Sequence, residues 1–118
     1  MSVELITHNG KKIVYGDFKE CNKKEKMIEK LYVVEQLMQR QPGTVLYLAD
    51  LSNTHGSTEF MKAVKEVAKR TFDHKVEKAA LIGIIGIKKV LLNGFNAVSK
   101  NKFVPFDNEE LALKFLTD

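Results

Sequence analysis

Hydrophobic and polar positions along the chain change period several times, and each change marks a new element. Val3, Leu5 and Thr7 alternate with polar neighbours, which predicts a strand. Asn9-Gly10 follows, a two-residue hairpin turn in which both residues tolerate positive φ, and Ile13-Val14-Tyr15 continues as the second strand, ending near Gly16-Asp17-Phe18. From Lys23 to about Arg40 the period becomes helical, with Met27, Leu31, Val34 and Met38 in one stripe and Ile28 and Glu35 beside it. Pro42-Gly43 stops that helix. Val45 to Ala49 is continuously apolar, as an interior strand requires. A polar turn leads into a second helix, where Phe60, Ala63, Val64, Val67, Ala68 and Thr71 form a full core-facing stripe.

Phe72 to Glu77 reads as a polar link, and Ala79 to Ile85 as another apolar strand. Ile87, Val90, Leu91, Phe95 and Val98 predict a third helix, with Gly94 on the same face. Phe103-Val104-Pro105-Phe106 is a short strand, and its proline places it at an edge or at the strand's last residues. Asp107 to Glu110 resembles a capping box with Asp107 as the N-cap, opening a last helix that buries Leu111, Ala112, Phe115 and Leu116. The predicted order is β-β-α-β-α-β-α-β-α. Strands alternating with helices imply an α/β fold, with one mixed, mostly parallel sheet of four to five strands and four helices. A chain of 118 residues suits a single domain spanning 1–118.

Composition narrows the function classes. Hydrophobic residues make up 44% and charged residues 29%, which is ordinary for a globular protein and excludes wholesale disorder. The net charge of +4 comes from lysines interleaved with acids, and the arginines are Arg40 and Arg70. Nucleic-acid binders gather such charge on one face and add arginine or aromatic readout, so no nucleic-acid partner is expected. Cys21 stands alone, which rules out an internal disulfide and suits a reducing, cytoplasmic setting. The segment MSVELITHNG has neither the basic nor the apolar region of a secretion signal, and the run from Ala79 to Ile87 is too short to span a bilayer.

Chemistry-bearing motifs are sparse. His8, His55 and His74 are far apart and form no ligand pair, so no metal or other cofactor is expected. Gly83-Ile84-Ile85-Gly86-Ile87-Lys88 has the spacing of a loop that cradles phosphate or clamps a nucleic-acid backbone. Its two isoleucines would be wasted in a solvated anion loop, and the favoured reading is a strand whose glycines let a helix approach. The turn after the central strand is the best site candidate. Asp50, Thr54, His55, Ser57 and Thr58 gather hydroxyls, an imidazole and a carboxylate where a parallel strand ends and a helix begins. In open α/β sheets ligands bind beyond the carboxyl ends of strands, and the helix start favours an anion. Gly56, Ser57 and Thr58 are equally ordinary capping and first-turn residues, and both readings stand.

The strand order, the strand ends Gly16-Asp17-Phe18 and Asp50-Leu51-Ser52, the run Ala80 to Lys89 and the ending Phe103 to Asp107 together resemble a STAS domain. These are the sulphate-transporter and anti-sigma-factor-antagonist domains, and the bacterial branch grouped with Sec14-type lipid-binding domains is more similar still. The resemblance covers nearly the whole chain as pattern and topology. In the antagonists a serine in an Asp-Ser-Ser-Gly turn is phosphorylated by a partner kinase, and Ser57 stands at the similar position. His55, Gly56 and Thr58 replace the family's Asp, first Ser and Gly.

Two functions follow. One is a non-enzymatic module that binds a protein partner through Thr54 to Thr58 and the following helix, gated by phosphorylation at Ser57 or Thr58. The other is a carrier for a small apolar ligand or lipid, held between the sheet and the helices bearing Met27, Leu31, Phe60 and Phe95, which calls for a void of a few hundred cubic ångströms. No nucleophile–base pair or paired carboxylates point to an enzyme. An exposed apolar patch on the first hairpin or the last helix would favour a homodimer.

Overall fold

A computed structural model describes residues 3–118. Strands β1 (Val3–His8) and β2 (Lys11–Asp17) form the expected hairpin, with Asn9 at φ 50° and Gly10 at φ 75° in its turn. Helix α1 (Lys24–Gln39) leads to β3 (Val45–Asp50), and α2 (Thr58–Val67) to β4 (Val76–Ile82). Between α2 and β4 the chain stays helical, through a π-helical turn at Ala68–Phe72 and the single turn α3 (Asp73–Lys75). The expected polar link is therefore helical as far as Lys75, and its last two residues, Val76 and Glu77, open β4. Helix α4 (Ile87–Val98), β5 (Phe103–Phe106) and α5 (Glu109–Thr117) complete the chain.

The five strands lie in sequential order β1-β2-β3-β4-β5, with β1 antiparallel and every later pair parallel. Sequential parallel strands joined by crossovers of one hand put the connecting helices on one face of the sheet. The buried residues agree. Met27, Leu31 and Val34 of α1, Val64 and Val67 of α2, and Leu92 and Phe95 of α4 all join Tyr47 and Ala49 of β3 in one cluster. Among the described residues the opposite face is covered by α5, whose Ala112 and Leu116 pack on Ile13, Leu46, Leu48 and Ala80. All six residues of β3 are buried, which is why its sequence shows no alternation.

Three local readings change. First, β4 ends at Ile82, and Gly83 and Gly86 lie in a loop with φ of 83° and 60°. A Cβ on Gly83 would come within 2.5 Å of the Ser52 backbone, so this glycine serves the approach of a neighbouring turn rather than of a helix. Second, α4 buries Phe95 of the expected stripe together with Leu92, whereas Ile87, Val90 and Val98 of that stripe face out. Third, the N-cap of α5 is Asn108, whose side chain accepts the Leu111 amide at 2.9 Å, and Leu111 itself is exposed. No helix among the described residues is long and apolar enough to cross a membrane.

Candidate functional site

Three loops meet at the carboxyl ends of β2, β3 and β4, and backbone hydrogen bonds tie them together. Phe18 donates to the Asp50 carbonyl at 2.9 Å, Glu20 to Ser52 at 3.0 Å, and Leu51 to Ile82 at 2.8 Å. Asp50 is buried, and its Oδ1 accepts the Ser52 amide at 2.9 Å, which closes the turn in the way short acidic side chains commonly do. Asn53 then takes φ 59°, a left-handed conformation that asparagine tolerates well.

Thr54 is buried, and its hydroxyl donates to the Leu51 carbonyl at 2.7 Å. The Lys88 ammonium reaches across from α4 to the same carbonyl at 2.9 Å and to Thr54 Oγ1 at 3.5 Å. Burial pushes the Lys88 ammonium below its usual range, with Asp50 opposing that shift. Sequence reasoning missed Lys88 as a site residue. Its place beside Gly86 was visible, but pairing with a turn more than thirty positions away needs the sheet register.

Ser57 is the N-cap of α2, and its Oγ accepts the Phe60 amide at 3.2 Å. The same hydroxyl donates to Glu59 Oε2 at 3.1 Å, and Thr58 donates to that oxygen at 3.4 Å. Glu59 pairs with Lys24 of α1 at 3.6 Å. A hydrogen bond to its own backbone, then the Ser57 hydroxyl and Lys24, hold the Glu59 carboxyl below the usual carboxylate range. His55 is exposed and Gly56 lies under α4: a Cβ there would meet Ile87 Cγ2 at 2.7 Å. The five residues singled out in the sequence thus lie along one turn, yet their side chains do not converge. Asp50 and Thr54 turn inward, while His55 and Thr58 face solvent.

Behind this turn is a cavity of about 80 Å³ between the sheet and helices α1, α2 and α4. Its walls are mostly apolar, with Met27, Leu31, Ala49, Phe60, Leu81 and Phe95 among them, and Lys88, Tyr47, Thr54, His55 and Ser57 are its polar members. Outside lies a surface groove of about 370 Å³ along Asn22 to Glu25, which shares Met27, His55 and Ser57 with the cavity. Among the described residues no His, Cys, Asp and Glu cluster could hold a metal.

No protein-family model and no curated protein sequence matches the chain. Among solved structures it is similar to an uncharacterized protein of the DUF3478 family with a SpoIIAA-like fold from Shewanella loihica PV-4. The TM-score is 0.67 at 13% identity, over 97% of this chain and 91% of that one. The chain has the SpoIIAA-like fold, which is that of the STAS and anti-sigma-antagonist domains.

Proposed function

We propose that this chain is a cytoplasmic, non-enzymatic regulatory module that binds a protein partner through the turn Thr54–Thr58 and the outer face of α4. The observation that carries this reading is apolar exposure next to the turn. Ile85, Ile87, Val90 and Val98 are 70%, 60%, 63% and 76% exposed. Three of them recur at helical spacing, and Ile87 sits directly over Gly56. A contiguous apolar face beside polar turn residues is the common form of an interaction site. The patch lies on α4, whereas the hairpin and α5 contribute only the isolated Leu5 and Leu111.

Ser57 supplies a physical route to gating. Phosphorylation would add about −2 charge where the hydroxyl now donates to Glu59. The phosphate would repel that carboxylate and compete for Lys24, rearranging the edge of the docking face. The expected result is that Ser57→Asp abolishes a partner interaction that Ser57→Ala keeps, read by co-purification; equal binding by both variants defeats the gating. A lipid carrier is the weaker reading, because about 80 Å³ falls well short of the ~300 Å³ at which ligand pockets begin.

A further inference from the structure

Lysines and acids are interleaved along most of the chain, but not around α4. Between Glu77 and Asp107 there is no acidic residue, and the charged side chains are Lys78, Lys88, Lys89, Lys100 and Lys102. Lys88 and Lys102 turn back onto backbone carbonyls, of Leu51 and of Asn96 and Ser99 respectively. Lys89 and Lys100 are exposed, one near each end of α4, and form no ion pair among the described residues. The exposed apolar face of this helix is therefore bordered by charge of a single sign.

Gly94 adds a shape to that charge. It sits within α4 in ordinary helical backbone, where glycine costs stability relative to alanine. Nothing inside the chain calls for it, since a Cβ there would meet no atom within 4 Å. Val90 and Val98 stand one turn before and one turn after it, and Ala97 beside them is exposed as well. The face thus has a notch between two apolar side chains, and helices pack by setting the ridge of one into such a gap on the other. A bilayer gains nothing from a missing side chain in the middle of an inserted face. A second copy of this chain would bring lysines against lysines.

We infer that the partner presents an acidic amphipathic helix, which lays its apolar stripe over Gly94 between Val90 and Val98 and sets carboxylates against Lys89 and Lys100. This rests on the partner-binding reading and supplies the chemistry of the partner.

The test is a display library built on a stable helical hairpin with one outer face randomised. It is selected on the folded wild-type chain and depleted on Ile87→Asp with Val90→Asp. The retained helices are expected to carry an apolar stripe flanked by Asp and Glu. Lys89→Glu with Lys100→Glu should weaken them at least tenfold, the size of effect that loss of charged contacts gives. Gly94→Leu, which fills the notch, should weaken them as much while melting no lower than wild type, because leucine is the better helix former. Survival of no helix, retained helices without an acidic excess, or indifference to either variant would overturn the inference. So would pelleting with phosphatidylglycerol vesicles, or concentration-dependent dimerisation, that Ile87→Asp with Val90→Asp abolishes, since either gives the face another occupant. A native partner lost with that double variant, yet indifferent to the lysine reversal and to Gly94→Leu, would remove the acidic helix and leave the partner reading standing.

Discussion

The two ends of the helical layer differ in how their charged groups are paired. At the end away from the turn, Glu35 of α1 is buried and completely engaged. Arg70 grips it with Nε to Oε2 at 2.7 Å and Nη2 to Oε1 at 2.8 Å, and Thr71 donates to Oε2 at 2.6 Å. Gln39 in turn donates to Thr71 at 3.2 Å. The π-helical turn at Ala68–Phe72 makes this possible, because its extra residue lets Arg70 and Thr71 face α1 while Phe72 still enters the core. At the other end Lys88 forms no ion pair among the described residues, and large apolar side chains face water. A hydrogen-bonded buried ion pair specifies a structure, whereas exposed apolar surface beside polar residues is the common form of a binding face. Under the proposed function, one end holds the fold and the other carries the binding face.

The sharpest way to break this contrast is at Arg70. Arg70→Leu strands a buried carboxylate and should cost about 3 kcal/mol, measured by urea unfolding. A loss below half that would mean the closed end is no more committed than the open one. Gly83→Ala comes next, since it combines a positive φ with a Cβ only 2.5 Å from the Ser52 backbone, and at least about 2 kcal/mol should be lost. Ile87→Ser with Val90→Ser should change stability by less than about 0.5 kcal/mol, as solvent-facing positions do.

Acid sharpens the same comparison. Hydrogen bonds from Arg70 and then Thr71 hold the Glu35 carboxyl below its ordinary value of 4.5, overcoming its burial. A depressed folded value means this group stabilises the protein above 4.5 and loses that contribution as the pH falls through the folded value. The stability gap between wild type and Glu35→Gln should therefore be full near neutrality and shrink well below 4.5. A gap that stays constant into acid would show that Glu35 acts through packing rather than charge.

Much of the fold could be read from period alone. The hairpin at Asn9-Gly10, the α1 stripe and the unbroken apolar run of β3 each admit one reading, and the structure has them at those places. The α4 segment admits two. Ile87, Val90, Leu91, Phe95 and Val98 form one broad apolar stripe and Lys88, Leu92 and Phe95 lie along its other edge, and spacing has no means of choosing which edge turns in. Lys88 argues against an inward face by its charge, yet its Nζ finds Leu51 and Thr54, so that edge goes in. The same ambiguity hid the exposed face of α4. At β4, Ile84 and Ile85 continue the apolar run beyond the last ladder pair, whereas the strand ends at Ile82, just before Gly83 at φ 83° beside the Ser52 backbone. The capping of α5 slips by one because Asp107 and Asn108 are equally good caps and the chain uses the second. Glu35 was visible at the edge of its stripe, but its partners lie 35 and 36 positions away.

The central claim is that binding belongs to the turn and α4 rather than to any other apolar surface. Partner capture from the native cell should be compared for wild type, for Ile87→Asp with Val90→Asp, and for Leu111→Asp on α5, all shown to be folded. The account expects one partner to be retained by wild type and by Leu111→Asp and lost from the α4 variant. Retention by the α4 variant, or equal loss from both, would contradict it.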